Sequence, residues 1–339
     1  MRALMISGRG GPEVMHETLV PRPIAVHSEV LIKVHAASVN PVDAKTRAGG
    51  GYAAAIERYP VLLGHDFCGT VVESPYERHR LSQGTRVYGV TIPPRLGGTH
   101  AEYVSVPDSF VAPAPQSLTD VQAAAIPLAF LTAWQCLTDV GRVRAGQKVF
   151  INAAAGGVGH FAVQIARMLG AVVTASCAER NVDFVQALGA HRVVAYDRDD
   201  ISTAVRGQDL TLDLIGNRVY NAGTESLGTL RRGGTLISVP ASGWPSMLED
   251  ARAQGVSATH FKFSPSGSML AQAASLFDRG DLRVHIDDVV SLADAPQAYE
   301  RVAARGVKGK IVVDIAARLS SSAAAAVRGT AEREQLFDR

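Results

Sequence analysis

The sequence has little cysteine and no long apolar run. Its three cysteines, Cys68, Cys136 and Cys177, each stand alone in a chain of 339 residues. Three singly scattered cysteines match the pattern of neither a disulfide framework nor a zinc-binding cluster, so a reducing compartment is expected. No stretch reaches the roughly 20 apolar residues that a membrane-spanning helix needs. The sequence therefore argues against a disulfide scaffold and predicts no membrane partner.

Charge of either sign is also scarce. Charged residues make up 19% of the chain, and the formal net charge is only +2. Nucleic-acid surfaces usually carry a basic run or stripe, which is missing here, so no nucleic-acid partner is expected. The first residues, MRALMISGRGG, lack the apolar core of a secretory signal peptide and resemble a strand followed by a turn. These features predict a cytoplasmic globular protein.

The length predicts two domains, because 339 residues exceed what one hydrophobic core usually serves. Residues 1–118 hold short β-branched stretches such as EVLIKVHAASV, separated by turns rich in Pro and Gly, which is typical of a small β domain. Over residues 119–264, strands alternate with helical patterns, which predicts a parallel sheet with helices on both faces. Residues 265–317 return to strands, and 318–339 are expected to form a flexible tail.

One long helical pattern opens the second of these regions. LTDVQAAAIPLAFLTAWQCLTDV begins at a helix cap, Thr119, and then keeps helical periodicity. The pattern predicts a continuous helix that leads into the alternating strands and helices.

The segment NAAAGGVGHFAVQIARMLG, residues 152–170, joins the strand-like KVFI to a helical pattern. In a dinucleotide-binding turn, small residues allow a tight bend, close approach of a pyrophosphate and helix–strand packing. The N–H groups at the helix start then face the phosphates. A tight turn that binds nothing is the alternative, but the surrounding strand–helix units favour a nucleotide. The predicted phosphate-binding residues are Ala154, Gly156, Gly157, Val158 and Gly159.

The next strand bears on the form of the cofactor. In NAD-binding enzymes an Asp or Glu about 20 residues beyond the loop binds the ribose 2′-hydroxyl. Here the strand AVVTAS ends in Ser176, and Arg180 follows. A hydroxyl and a guanidinium suit a 2′-phosphate, so NADPH is favoured. Glu179 argues against this, and Arg180 has the alternative of being a solvated residue at a helix start.

With these motifs the sequence resembles the zinc-independent, zeta-crystallin-like quinone oxidoreductases of the medium-chain dehydrogenase/reductase superfamily. The resemblance implies an α/β fold in which a GroES-like β-barrel catalytic domain, residues 1–118 and 265–317, is interrupted by a Rossmann NADP(H)-binding domain, residues 119–264. It also implies a homodimer, which we expect to pair Rossmann sheets through GGTLISV and the segment after it. The stretches that carry the resemblance are ASVNPVDAKTRAG, GHDFCGTV, GTHAEYVSVP, AAAIPLAFLTAW, AAAGGVG, LGAHRVVAY, GGTLISV and GKIVVDI.

The resemblance also assigns cofactor residues. Members that use NADPH hold the 2′-phosphate with a small residue, a basic residue and a tyrosine. Those places fall on Ser176, Arg180 and Tyr196 in this sequence. Arg305, shortly before GKIVVDI, is expected to add a fourth contact.

Three further residues are assigned to the reaction. The resemblance places Asn40 beside the nicotinamide and Thr132 on the nicotinamide side, and Tyr52 is expected to reach the substrate oxygen with its hydroxyl. Each also has an ordinary alternative. Asn40 then forms the turn before a proline, Thr132 bonds its own helix, and Tyr52 is a loop aromatic.

A catalytic zinc is not expected. The zinc-dependent relatives bind the metal at three places, which fall here on Asn40, His65 and Leu128. Catalytic zinc needs three protein ligands, and only His65 is of a suitable type. The four-cysteine structural zinc lobe of those relatives is missing as well. We therefore expect no metal, and a hydrogen-bonded role for His65.

The expected lack of a metal limits the reactions that this protein can catalyse. Alcohol oxidation benefits from a metal that stabilises the alkoxide. Reduction of a quinone or an α,β-unsaturated carbonyl mainly needs alignment and a few donors on the developing oxyanion. The sequence thus predicts an NADPH-dependent reductase of a small electrophilic acceptor. A non-catalytic NADPH-binding structural or regulatory protein is the alternative, and a zinc-type alcohol dehydrogenase is less favoured.

Overall fold

The computed structural model describes residues 1–317 except 96, 218, 220 and 241–243. The predicted tail, 318–339, lies outside the described residues. Two compact units make up the chain. The first comprises Met1–Leu128, Pro265–Asp281 and the described residues from Ile286 onward, and the second comprises Ala129–Ser264 with Leu282–His285.

The helices of the described residues are short, and none of them has the length and apolar character needed to cross a membrane. In chain order they are α1 (Pro41–Arg47), α2 (Asp120–Ala124), α3 (Pro127–Gln135), α4 (Gly157–Met168), α5 (Val182–Ala187), α6 (Ile201–Ala204), α7 (Ala222–Gly228), α8 (Met247–Ala253), α9 (Gly267–Asp278) and α10 (Ala295–Ala304).

The strands of the described residues fall into three sheets. In chain order they are β1 (Arg2–Ile6), β2 (Met15–Leu19), β3 (Glu29–Val39), β4 (Val61–Leu62), β5 (Asp66–Glu73), β6 (Arg86–Val90), β7 (Tyr103–Pro107), β8 (Val111–Pro113), β9 (Lys148–Ile151), β10 (Val172–Cys177), β11 (Arg192–Ala195), β12 (Gln208–Asp213), β13 (Leu230–Ser238), β14 (Ser257–His260), β15 (Ile286–Ser291) and β16 (Lys310–Asp314).

The first unit is built mainly on antiparallel pairs. Its larger sheet has the order β15-β16-β3-β5-β6-β8, with β7 also paired to β3, and β2-β1-β4 form a small second sheet. The predicted strand EVLIKVHAASV is β3, an 11-residue strand that is mostly buried and pairs with β5, β7 and β16. The last strand, β16, pairs antiparallel with β3, so a segment from the end of the described chain completes a sheet begun near its start.

The second unit is a parallel sheet of order β11-β10-β9-β12-β13-β14. This confirms the predicted α/β fold class. All of GGTLISV except its last residue lies in β13, which bonds to β12 on one side and to β14 on the other. The backbone groups of GGTLISV are therefore already used, so this stretch cannot pair with a second chain, whereas the segment after it, the other part of that expectation, contains β14; the homodimer stays a prediction. The edges of this sheet are β11 and β14.

The long helical pattern after Thr119 divides into separate segments. Thr119 does cap α2, accepting a hydrogen bond from the Gln122 N–H at 3.3 Å. The helix then breaks at Ile126, and α3 starts at Pro127, which has no N–H to continue the ladder. Because α2 packs on β3 and β5, residues up to Leu128 group with the first unit, not with the second as the boundary at residue 119 predicted.

Candidate active site

Two positions at the junction of β9 and α4 are glycine for different reasons: Gly156 caps α4, and Gly159 lies in its first turn. A Cβ on Gly159 would lie 2.3 Å from the oxygen of Ala153 and 2.7 Å from the Cα of Ala154, so packing requires this glycine. Gly156 has an extended backbone, φ −82° and ψ −177°. A Cβ there would meet only the Ala153 oxygen, at an ordinary 3.4 Å. Packing does not explain Gly156, whose missing side chain leaves space at the helix N-terminus.

The tight bend of this loop lies at Ala153, whose φ of +46° is left-handed. The Gly156 N–H closes the turn on the Ala153 oxygen at 3.0 Å. The Ala154 N–H donates to the Ser176 oxygen at 2.9 Å, which fixes the loop to the end of β10. The first N–H groups of α4, including those of Gly157 and Val158, have no partner within the helix, as at any helix start. This arrangement suits an anion at the N-terminus of α4.

The carboxyl ends of β10 and β11 bring the predicted 2′-phosphate residues to one edge. Ser176 is buried and pairs in register with Val194, while Arg180 and Tyr196 are exposed. The Tyr196 N–H donates to the Cys177 oxygen at 3.1 Å, which places Tyr196 just beyond the neighbouring strand. Their contact with a cofactor stays a prediction.

One residue of this edge escaped the sequence reasoning. Arg198 Nη1 lies 3.0 Å from Oε1 of Glu179, the acid that argued against NADPH. The Glu179 N–H in turn donates to the Asp197 carboxylate at 2.9 Å. The sequence feature that could have pointed to Arg198 is its position two residues after Tyr196. Glu179 therefore forms an ion pair with Arg198, so a positive charge lies beside its carboxylate.

A buried network holds the loops that follow β9, β12 and β13. Asp213 accepts hydrogen bonds from Asn152 Nδ2 at 2.8 Å, from the Gly216 N–H at 2.9 Å and from Ser238 Oγ at 2.8 Å. The Leu214 N–H donates to Asn152 Oδ1 at 2.6 Å. Ligands of open α/β sheets bind beyond the carboxyl ends of the strands, so this network shapes the expected ligand edge.

The residues predicted for the reaction are divided between the units. Asn40 and Tyr52 lie in the first unit, and Thr132 lies buried in α3 within the second. Arg305 follows α10 in the first unit with an unusual backbone, φ +66° and ψ 175°. This region of backbone conformation is populated almost only by glycine. The roles of these four residues stay predictions.

A buried polar cluster surrounds Asn40. Asn40 Nδ2 donates to Asp66 Oδ2 at 2.8 Å, and Lys310 Nζ donates to Asn40 Oδ1 at 2.5 Å. Ser38 Oγ and the Leu128 N–H donate to the same Asp66 carboxylate at 2.5 and 2.7 Å. The side chains of Asn40, Asp66 and Lys310 are all nearly inaccessible to solvent. Sequence reasoning missed Lys310, which lies far from Asn40 along the chain.

Beside this cluster lies a histidine–carboxylate pair. His65 Nδ1 is 2.7 Å from Asp43 Oδ1, and the Asn40 N–H donates to Asp43 Oδ2 at 2.9 Å. Burial favours a raised pKa for Asp43, but His65 and the Asn40 N–H outweigh it and hold that pKa below its usual range. The ring centroid of Tyr52 lies 6.3 Å from that of His65. His65 is thus hydrogen-bonded, and Asn40, Tyr52 and His65 form one neighbourhood.

Comparisons with known proteins decide the family. The model described as Alcohol dehydrogenase GroES-like domain matches residues 27–116, and that described as Zinc-binding dehydrogenase matches residues 188–313. The chain is 30% identical to the mitochondrial NAD(P)H oxidoreductase RTN4IP1 of Mus musculus, over 93% of this chain and 89% of that protein. It belongs to the quinone oxidoreductase-like branch of the medium-chain dehydrogenase/reductase superfamily. The resemblance predicted from the sequence is confirmed.

Further relatives of this branch agree. Quinone oxidoreductase of Sus scrofa is 32% identical over 92% of this chain and 97% of that protein. The structure of the quinone oxidoreductase from Coxiella burnetii has a TM-score of 0.87 at 33% identity and covers 93% of this chain and 99% of that one. Mycobacterial Rv1454c complexed with NADPH has a TM-score of 0.80 at 29% identity, covering 93% of this chain and all of that one, 100%. This dehydrogenase/reductase chain is therefore an oxidoreductase of the NAD(P)H type.

A catalytic zinc, implied by the name of one matched family model, does not fit the residues present. Within the described part of the chain, no group of three or more His, Cys, Asp or Glu side chains could hold a metal ion. Of the three places assigned by resemblance, Asn40 is committed to Lys310 and Asp66, His65 is bonded to Asp43, and Leu128 is apolar. The ammonium beside Asn40 would also repel a divalent cation.

Proposed function

We propose that this oxidoreductase reduces a small electrophilic acceptor, a quinone or an α,β-unsaturated carbonyl, with NADPH and without a metal ion. The observation that carries the proposal is the loop at Gly156, where the protein keeps a space that its own packing does not need. That space adjoins the free N–H groups of α4, which suits a diphosphate. The nicotinamide of the bound cofactor supplies the hydride.

The preference for NADPH rests on the edge formed by β10 and β11. Ser176, Arg180 and Tyr196 offer a hydroxyl, a guanidinium and a phenol there. Glu179 is paired with Arg198 and is thus less able to bind ribose hydroxyls or repel a phosphate. A guanidinium forms strong charge-assisted bonds with phosphate, so a 2′-phosphate gains affinity at this edge.

Reduction of an activated acceptor is favoured because the candidate site offers hydrogen-bond donors and no fitting metal set. Asn40 and Tyr52 are donors of the kind that stabilise a developing oxyanion. The acceptor gains a hydride at carbon or oxygen, and the negative charge spreads over its conjugated system. The Asn40 and Tyr52 groups would bind that charge, and solvent supplies the proton.

Assembly and location complete the proposal. We propose a homodimer in which the exposed edge of β14 pairs with its copy, since β14 ends the parallel sheet. A mass near twice 35.8 kDa by light scattering supports it, and a monomer at micromolar concentration contradicts it.

The mouse relative is named mitochondrial, so the cytoplasmic location expected from the sequence stays a prediction.

The experiment is an oxidation assay on chelator-treated protein. NADPH and NADH are compared, with 9,10-phenanthrenequinone and a simple enone as acceptors. Turnover that survives chelation and is much faster with NADPH supports the proposal, and the faster acceptor defines the subclass. Tight NADPH binding without turnover on either acceptor contradicts it and favours a non-catalytic role. Activity that disappears with the chelator and returns with zinc contradicts the metal-free mechanism.

A further inference from the structure

Lys310, the first residue of β16, is a buried cation that the proposed reaction does not use. Its side chain is only 3% exposed. Nζ lies 2.5 Å from Asn40 Oδ1, 3.3 Å from the Val39 oxygen and 3.4 Å from Asp66 Oδ2. An ammonium has three N–H donors, so these three acceptors use all of them. Lys310 therefore has no hydrogen left for a ligand and acts only through its neighbours.

Its main effect falls on the orientation of the Asn40 amide. An ammonium can only donate, so the Asn40 atom that faces it must be the carbonyl oxygen. On the other side of the amide, Nδ2 donates to Asp66 Oδ2 at 2.8 Å. A flipped amide would place NH₂ against the ammonium and oxygen against the carboxylate. Both neighbours thus favour the same one of the two amide orientations, which diffraction alone often leaves open.

The Asn40 amide, held in this orientation, has one N–H that is not yet used. Nδ2 carries two hydrogens, and Asp66 accepts one of them. The Asn40 side chain is 1% exposed, and within the described chain no acceptor is found for the second hydrogen. A buried donor without a partner is unfavourable, so such groups call for an explanation. A ligand that brings a carbonyl oxygen would satisfy this one.

Asp66 is itself held rigidly enough for this purpose. Its Oδ2 accepts from Ser38 Oγ at 2.5 Å as well as from Asn40 and Lys310, and its Oδ1 accepts from the Leu128 N–H at 2.7 Å. Four donors therefore anchor one carboxylate at the start of β5. Contact with the ammonium also polarises the Asn40 amide, which strengthens its N–H as a donor. Such preorganised donors are the kind that stabilise developing charge.

We propose that Lys310 and Asp66 are positioning residues that keep Asn40 a permanent hydrogen-bond donor to a bound carbonyl oxygen. This rests on the proposed function, because that oxygen belongs either to the acceptor or to the carboxamide of the nicotinamide. If it belongs to the acceptor, the hydride forms a new C–H bond while a π electron pair moves onto the oxygen. The Asn40 N–H stabilises that oxygen without giving up its proton. One proton from solvent completes the reduction, so NADPH, a proton and the acceptor become NADP⁺ and the reduced acceptor.

The test removes both charges together. Lys310→Met with Asp66→Asn leaves no unpaired buried charge, so the double variant should fold, and it lets the Asn40 amide take either orientation. We expect kcat to fall about 100-fold in Asn40→Ala, as when an oxyanion donor is lost, and less, about 10-fold, in the double variant, which keeps the donor but does not hold it in place. A folded double variant that keeps both the wild-type kcat and the wild-type affinity for NADPH overturns the proposal.

A control comes from an ion pair of the same unit that has a buried cation, like Lys310, and a half-exposed carboxylate. Arg47 is 4% exposed and its Nη2 lies 2.5 Å from Oε1 of Glu300. Arg47→Met with Glu300→Gln removes charges in the same way without touching the Asn40 cluster. We expect this control to keep its kcat. If it loses kcat as much as the Lys310 variant does, the effect is a general one of buried charge and the proposal is wrong.

Two binding measurements identify the source of the oxygen. The first ligand is NADPH, and the second is 2′-phospho-ADP-ribose, which lacks the nicotinamide. If Asn40→Ala weakens NADPH but not 2′-phospho-ADP-ribose, the oxygen is that of the nicotinamide carboxamide. If both affinities are unchanged while kcat falls, the oxygen is that of the acceptor. If both affinities and kcat are unchanged, Asn40 donates to neither and the proposal is overturned.

The orientation of the amide can be measured without turnover. In a ¹⁵N spectrum, the Asn40 NH₂ group is assigned by its disappearance in Asn40→Ala. We expect one sharp pair of proton resonances in the wild type, and a pair broadened by exchange between the two amide orientations in the double variant. Identical Asn40 signals in both proteins contradict the positioning role. A wild type without turnover would disprove the proposed function while leaving this spectral result to decide the positioning.

Discussion

A Cβ atom on Gly159 would lie 2.3 Å from the oxygen of Ala153, so α4 approaches its loop this closely only because Gly159 has no side chain. The neighbouring Cα of Ala154, at 2.7 Å, is backbone as well and cannot move aside alone. We therefore expect Gly159→Ala to lower the free energy of unfolding by about 2–3 kcal/mol, as overpacking does. Urea denaturation measures this directly. An unchanged midpoint would show that the loop can shift.

Gly156→Ala is expected to separate stability from cofactor binding. Its Cβ would meet the Ala153 oxygen at an ordinary 3.4 Å, so the unfolding free energy should change by less than about 0.5 kcal/mol. The same methyl group would occupy the space proposed for the diphosphate. We expect the Kd for NADPH to rise at least about 10-fold, which corresponds to about 1.4 kcal/mol. A fluorescence titration showing wild-type affinity would remove the main support for the proposed function.

Ala153 has a left-handed backbone, with φ +46°, which glycine adopts without penalty. For other residues this conformation costs about 1–2 kcal/mol. Glycine loses more backbone entropy on folding, so we expect Ala153→Gly to stabilise the protein by about 0.5–1 kcal/mol net. Ala154→Gly is the matched control. Because the backbone of Ala154 is not left-handed, this variant should be less stable than the wild type. If Ala153→Gly lowers the urea midpoint and Ala154→Gly raises it, the strain argument is contradicted.

His100 should make stability depend on pH. Burial lowers the pKa of His100, and its Nδ1 already bonds to the Tyr299 hydroxyl at 2.9 Å. The folded protein therefore keeps this ring neutral at a pH where the unfolded chain, with a pKa of about 6.5, binds a proton. The unfolded state binds more protons there, so stability rises with pH up to about 6.5 and falls as the solution is acidified below it.

The measurement is the unfolding free energy by urea between about pH 5 and 7.5. The contribution of His100 to the slope is at most about 1.4 kcal/mol per pH unit, and His100→Gln should remove it. His16 is exposed, so His16→Gln should leave the slope unchanged. Equal slopes for wild type and His100→Gln would mean that His100 takes up its proton in the folded state.

Arg180→Gln should reduce the preference for NADPH. If the guanidinium binds the 2′-phosphate, kcat/KM for NADPH should fall about 10- to 100-fold, the worth of about 1.5–3 kcal/mol for a charged hydrogen bond, with NADH unaffected. Arg206→Gln, an exposed arginine that bonds to the Gly228 oxygen in the same unit, is the control. An equal loss with both cofactors would place Arg180 outside the 2′-phosphate site.

The sequence by itself determined the parts of this protein that depend on local rules. The cap at Thr119, the strand β3 and the alternation from β9 onward follow from side-chain hydrogen bonds, β-branched stretches and helical periodicity. The small-residue loop and the family could be read for the same reason, since each is a short contiguous pattern. These signals act over a few residues and survive without knowledge of the rest of the fold.

Only the tertiary structure decided which distant residues meet. GGTLISV was expected at a sheet edge, but strand order places β14 outside it. Arg198 reaches Glu179 from the turn after β11, and Lys310 reaches Asn40 across 270 residues of sequence. Strand order and buried charge pairing depend on which elements pack together, because a buried ammonium must find its acceptors wherever the fold provides them. The periodicity and spacing of residues along the chain do not show which distant elements pack together.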